Sequence, residues 1–304
     1  NKISKVGTDV FTSDYVLGDN VQNPDGIMVR SAVMHEMTFA PELKAIARAG
    51  AGVNNIPVEE CAKQGIVVFN TPGANANGVK ELTIAALLLA SRDIYGGITW
   101  ANSLKGSEGV AKAVEKGKSA FAGVEIMGKT LGVIGLGAIG RLVANAAVAL
   151  GMNVVGCDPF LSAEAAKLLD PAVTTVATFE DVFKVCDYLT VHVPATKDTK
   201  GMINAGAFEL MKDGVRIVNL SRAELVDSAD MIAAVENGKV ASYVTDFPTD
   251  EMVGIKGIVT IPHLGASTEE AEDNCAKMAA TQLIDYLENG NIKNSVNMPF
   301  VCAE

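Results

Sequence analysis

The sequence predicts the α/β class, a doubly wound parallel sheet accompanied by a second, smaller α/β domain, and three observations carry that reading. An apolar β-type run, Thr130-Leu-Gly-Val-Ile134, collapses into a glycine turn and reopens as a helix. Short Val- and Ile-rich runs then alternate with helical stretches as far as Ile261, the pattern of a parallel sheet whose ligands sit at the strands' carboxyl ends. The chain ahead of Thr130 is long enough, and patterned enough, for a domain of its own.

From the N-terminus, residues 26–30 and 44–48 read as strands that run into polar or glycine-rich loops. Residues 57–64 have a helical pattern stopped by Gly65, residues 66–69 form a buried strand, and Asn70-Thr-Pro-Gly73 is a turn. Residues 78–95 are expected as one long helix, apolar on nearly every side from Thr83 to Ala90 and so buried on several sides. Residues 96–125 are weakly patterned and read as connector and surface helix. The helix after the glycine turn runs to Leu150, where Gly151 stops it, and the strand 153–157 ends at Asp158. There follow strand 174–176, helix 179–185, strand 188–193, helix 205–211, strand 216–220 and helix 228–237. Strands 241–245 and 257–261 and a long helix 268–287 complete the pattern.

Bulk composition narrows the function. With 304 residues, 49% of them hydrophobic, the chain can build two cores. A net charge of −11 and the absence of any basic run oppose nucleic-acid binding. Cys61, Cys157, Cys186, Cys275 and Cys302 are scattered without a C-x-x-C pair, which suits reduced thiols in a cytoplasmic protein; no metal site is expected. The longest apolar run, residues 82–90, is too short to span a bilayer, and no signal-peptide pattern is read at the start.

The glycine turn has dinucleotide-binding spacing. Gly135 is free to take a positive φ, Gly137 lets a pyrophosphate approach the backbone, and Gly140 lets helix pack on strand. Phosphates are then expected on the amides of Ala138 and Ile139, at the positive end of the helix. Asp158, eighteen residues beyond Gly140, is placed to accept both ribose hydroxyls and to repel a 2′-phosphate, so NAD is expected over NADP. For acid–base work there are only His35, His192 and His263. His263 follows a strand at the ligand-binding edge, whereas His35 reads as a loop residue. Arg222, just past another strand, can hold a carboxylate bidentately and polarise a neighbouring carbonyl.

In order along the chain, Gly135 to Gly140, Asp158-Pro159, Val191-His-Val-Pro194, Asn219-Leu-Ser-Arg222, Asp246-Phe-Pro248 and Pro262-His-Leu-Gly-Ala-Ser-Thr268 resemble the D-2-hydroxyacid dehydrogenases. Within that family Val29-Arg-Ser31, Ala47-Arg-Ala-Gly-Ala-Gly-Val-Asn-Asn55 and Asn70-Thr-Pro72 are most similar to the D-3-phosphoglycerate dehydrogenase branch. The resemblance implies a Rossmann NAD-binding domain at 96–276 and a flavodoxin-like substrate domain at 1–95 and 277–304, assembled as a homodimer. It implies that Arg222 binds the substrate carboxylate and C2 oxygen, that His263 exchanges the hydroxyl proton, and that an acid partners His263. Counting from Asp246 favours Glu251 as that acid; aligning Phe-Pro-Thr favours Asp250. It also implies nucleotide contacts from Pro159, His192, Val193, Pro194, Thr199, Leu220, Ser221, Asp246 and Gly265. Gly52 and Val53 would offer amides to the substrate carboxylate, while Arg30, Ser31 and Arg48 would take a phosphate.

The sequence departs from the family pattern in three places. The acid loop is one residue shorter and lacks proline after the acid, Ala223-Glu224 replaces the usual glycine after the arginine, and the chain stops at Glu304 without a serine-sensing domain. The resulting expectation is NAD-dependent oxidation of D-3-phosphoglycerate at C2. A glyoxylate or hydroxypyruvate reductase, another D-2-hydroxyacid dehydrogenase, and a non-catalytic NAD-sensing regulator are the alternatives.

Overall fold

The computed structural model describes residues 2–302, which divide into two compact units, residues 2–78 with 266–302 and residues 79–265. The sequence had placed the divisions at 95/96 and 276/277. The first moves because the helix Ala76–Ser91 is tied to the second unit: Ser91 Oγ lies 2.8 Å from the Tyr188 hydroxyl, and Arg216 Nε donates to Ala90 O at 2.9 Å.

In the first unit β1 (Gly26–Val29), β2 (Ala45–Arg48) and β3 (Val67–Phe69) form a parallel sheet in that order. Strand alternation sorts the side chains. Ala45, Ala47, Val67 and Phe69 pack with Cys275, Ala279 and Leu283 of the helix Glu269–Asn289, while Ile46 and Val68 pack on the opposite side with Ile56 and Cys61. Asn297 closes the free edge of β3, accepting from Val68 N at 2.9 Å and donating to Ile66 O at 2.9 Å.

The second unit holds a seven-stranded, all-parallel sheet. Its strands are β4 (Thr130–Ile134), β5 (Asn153–Cys157), β6 (Val173–Thr175), β7 (Tyr188–Val191), β8 (Val215–Asn219), β9 (Val240–Thr245) and β10 (Ile258–Thr260). The order β10-β9-β8-β7-β4-β5-β6 reverses direction at β4, so the switch point lies between β4 and β7, where such sheets bind ligands. All four residues of β7 are buried, as a parallel strand covered by helices on both faces requires.

One expectation about the helices needs correction. Residues 78–95 are not one helix: Ala76–Ser91 ends, and the chain bends by 72° into Ile94–Ser103. The break falls where Asp93 caps the new helix, Oδ1 accepting from Gly96 N at 2.9 Å, because a side-chain acceptor for the orphan amides favours a fresh start. Within the first helix Val79, Thr83, Ala86, Leu87 and Ala90 are buried, while Leu88 is 39% exposed. Among the described residues no single helix is long and apolar enough to cross a membrane.

Candidate active site

The glycine turn lies at the carboxyl end of β4. Gly135 has φ +87°, and a Cβ there would lie 2.6 Å from His192 O, so both backbone conformation and crowding demand glycine. A Cβ on Gly140 would meet Gly135 O at 1.8 Å, so the close approach of helix and turn at this point requires glycine. Gly137 is different: it is the N-cap of the helix Ala138–Ala149, and nothing lies within 4 Å of where its Cβ would be. No side chain caps that helix, so its first amides, Ala138 and Ile139 among them, remain open to an anion.

Asp158 makes backbone contacts that the sequence did not reveal. Its Oδ2 accepts from Leu136 N at 2.9 Å and its Oδ1 from Phe160 N at 2.9 Å, so the carboxylate pins the glycine turn while keeping lone pairs for hydroxyl donors. Pro159 is exposed beside it. Across the switch point His192 N donates to Ile134 O at 2.7 Å, and its Nε2 lies 3.0 Å from Thr190 Oγ1. Burial pushes its pKa down to about 4, so the ring is neutral at ordinary pH and unsuited to act as a general acid. Its Nδ1 is buried without a hydrogen-bond partner. Val193 O accepts from Ser221 Oγ at 2.9 Å, and Thr199 Oγ1 donates to Pro194 O at 2.6 Å, closing the loop after β7. Leu220 is buried at the start of the next loop.

Three neighbouring strands, β8, β9 and β10, deliver the other candidates at the same sheet edge. Arg222 follows β8, and its Nη1 donates to Ser221 O at 2.6 Å. Asp246 follows β9 and is 1% exposed. Its Oδ2 accepts from Gly265 N at 3.1 Å, whereas Oδ1 is buried with no partner. Burial raises the Asp246 pKa, while the Gly265 amide and the charges of His263 and Arg222 pull it back. His263 follows β10 with φ +41°, an uncommon backbone for a non-glycine residue, held by its N–H directed at Asp246 O and Ile261 O, each at 3.0 Å. The Phe247 ring tilts against its imidazole at 4.8 Å between centroids. Asp250 and Glu251 both lie exposed on the loop joining β9 to β10.

Sequence reasoning missed Phe247 and also Asn219, the fully buried last residue of β8, which hydrogen-bonds the backbone of Ser221 and Arg222. A buried-strand pattern ending in a polar residue directly before the Ser-Arg pair was the available signal.

The first unit gathers its own candidates at the carboxyl ends of β1 and β2. Arg30 Nη2 lies 2.5 Å from Glu272 Oε1, and Arg48 Nε donates to Arg30 O at 3.1 Å. Ser31 is exposed beside them, and Gly52 and Val53 occupy the loop after β2. The Glu272 partner was not foreseen.

Comparison with known proteins fits this geometry. The family described as D-isomer specific 2-hydroxyacid dehydrogenase, NAD binding domain, matches residues 84–265. A D-3-phosphoglycerate dehydrogenase of Archaeoglobus fulgidus is 37% identical over 290 residues, 91% of this chain and 52% of the relative. One from Bacillus subtilis is 36% identical over 92% of this chain and 53% of its own length. The chain thus spans about half the length of the curated relatives it matches. Among solved structures, NAD+-bound 3-phosphoglycerate dehydrogenase of Entamoeba histolytica superposes with a TM-score of 0.72 at 32% identity, covering 91% of this chain and 83% of that one. A glyoxylate reductase from Paecilomyes thermophila has a TM-score of 0.72 at 28% identity, over 85% and 76% of the two chains. The chain belongs to the D-isomer specific 2-hydroxyacid dehydrogenases, whose NAD-binding domain it carries.

Proposed function

We propose that this protein interconverts D-3-phosphoglycerate and 3-phosphohydroxypyruvate with NAD. The observation that carries the reading is the placement of Arg222, Asp246 and His263 directly after the adjacent parallel strands β8, β9 and β10, with His263 N donating to Asp246 O at 3.0 Å. The residues present suit the cofactor. Clear space over Gly137, uncapped amides at Ala138 and Ile139, and the partnerless Asp246 Oδ1 and His192 Nδ1 match a pyrophosphate and a carboxamide seeking hydrogen bonds. Bound NAD would supply the acceptor for a hydride from substrate C2. Gly135 and Gly140 shape the turn, Asp158 and Pro159 hold ribose, and Val193, Pro194, Thr199, Leu220, Ser221 and Gly265 line the nucleotide.

Arg222 grips the substrate carboxylate and polarises the C2 oxygen. Neutral His263 takes the hydroxyl proton on oxidation, and its protonated form returns the proton on reduction. Glu251 or Asp250 steadies the ring, and comparing Glu251→Gln with Asp250→Asn identifies which, because only the true partner shifts the pH profile. In the first unit Gly52 and Val53 offer amides to the carboxylate, and Arg30, Ser31 and Arg48 receive the phosphate.

A second reading, a reductase of unphosphorylated 2-oxo acids such as glyoxylate, is favoured by one contact: the Arg30 guanidinium already pairs with Glu272. NADH formation with D-3-phosphoglycerate against D-glycerate separates the two. A preference for the phosphorylated acid that Arg30→Ala removes supports the first; equal rates support the second. NAD binding with no turnover of either acid points to a regulator.

We also propose a homodimer joined through its nucleotide domain, as the exposed Leu88, Tyr95 and Ile98 on two successive helices suggest. A reducing, cytoplasmic setting suits the buried, unbridged thiols of Cys61, Cys157, Cys186 and Cys275.

A further inference from the structure

Asn219 occupies an unusual position. β8 ends at this residue, and beyond it the amides of Ser221 and Arg222 have left the ladder, with Arg222 extended at φ −151° and ψ 140°. Unpaired backbone groups beside a buried strand end are costly, so some partner must satisfy them. One side chain satisfies three. Asn219 Oδ1 accepts from Ser221 N at 3.1 Å and Arg222 N at 3.3 Å, while its Nδ2 donates to Arg222 O at 2.8 Å. Both polar backbone atoms of Arg222 are therefore held by a residue that is itself 0% exposed.

The amide's orientation is set from the neighbouring strand. Nδ2 also points at the Tyr243 hydroxyl, 3.5 Å away, and Tyr243 is a 2%-exposed residue of β9. Two residues further along β9, Thr245 Oγ1 accepts from Phe247 N at 3.1 Å at the start of the loop that carries Asp246 and faces His263. The guanidinium in turn is bonded to its own loop through Ser221 O, so a shift of the loop is passed directly to the head group.

We propose that Asn219 is a positioning residue that sets Arg222 for substrate binding, acting through the arginine's backbone and touching neither substrate nor nucleotide. The inference rests on the catalytic reading of Arg222. Losing such support displaces a charged group by a fraction of an ångström, and misplacements on that scale cost substantial rate.

The test is a double-mutant cycle of Asn219→Ala and Arg222→Ala, reading kcat, KM, NAD affinity and the affinity for oxamate, a non-reacting 2-oxo-acid mimic. Asn219→Ala is expected to lower kcat/KM by about 10-fold or more, with oxamate binding weakened in parallel and NAD affinity within about 3-fold of the parent. In the Arg222→Ala background the same substitution should cost less than about 3-fold, because the residue it acts through is gone. Full additivity, or an equal loss of NAD affinity, would overturn the inference. Asn219→Asp, which keeps both accepting bonds and the side chain's shape but loses the donor to Arg222 O, guards against misfolding of the alanine variant. It should retain NAD binding and lose oxamate affinity, and unchanged oxamate affinity would count against the proposal. Arg222→Ala without effect on turnover would overturn the catalytic reading itself, and this single-variant arm distinguishes that failure from one at Asn219.

Discussion

The glycine turn after β4 and the arginine–histidine edge after β8 to β10 lie in the same sheet, but they are built differently. The turn is shaped by atoms that are missing: Gly135 and Gly140 sit where a Cβ would strike a carbonyl oxygen, and Gly137 leaves open ground for a ligand. The edge is shaped by buried polar side chains that are present, with Asn219 holding the arginine loop and Asp246 holding Gly265. A binding surface for a phosphate needs backbone amides and clearance, whereas a site that must place a proton and a charge needs fixed side chains. The first should break sterically and the second chemically.

The largest expected effect comes from breaking the edge. His263→Ala should lower kcat by about 10²-fold or more, since general acid–base assistance is typically of that size, while leaving NAD affinity intact; steady-state rates and nucleotide titration check both halves. Near-normal turnover would remove His263 from the mechanism.

Stability should respond at His192, which sits between the two regions. Its folded-state pKa is depressed from 6.5 to about 4, so the unfolded chain binds the proton more readily. Stability is therefore fully present above about pH 6.5 and falls by about 3 kcal/mol as pH drops towards 4. Urea unfolding across that range measures the slope, and His192→Gln should flatten it.

A paired substitution sharpens the steric side. Gly140→Ala should destabilise the protein by about 1–3 kcal/mol because the methyl collides with Gly135 O and neither backbone can yield. Gly137→Ala, with open space around its Cβ, should leave the melting temperature nearly unchanged and weaken NAD alone. Equal effects in both assays would mean the turn is not organised around the helix start.

The smallest effect belongs to Phe247. Its ring contact with His263 is of a kind contributing about 0.5–1 kcal/mol, so Phe247→Leu should change kcat by roughly 2- to 5-fold, and Phe247→Tyr should restore it.

Most of the fold was legible because it rests on local patterns. Alternating Val- and Ile-rich runs and glycine stops located every strand of the large sheet to within one or two residues, and the spacing Gly135, Gly137, Gly140 marked the turn. The break at Asp93 was less legible, since Ser91-Arg92-Asp93 is a short polar interruption after which apolar residues resume at Ile94. At the site, the strand ends carrying Arg222, Asp246 and His263 could be read from the chain, but their support could not. Asp158 pinning Leu136, Glu272 engaging Arg30, and Asn219 gripping Arg222 involve partners chosen by packing.

By itself the sequence determined where strands stop, where backbone must be glycine and which residue types stand at the ligand-binding edge, because these follow from local sterics and burial periodicity. Tertiary structure alone decided which charges meet and which polar atoms stay partnerless. Strands adjacent in the sheet bring together side chains distant in the chain, and a buried polar atom reveals its role only once its neighbours are known.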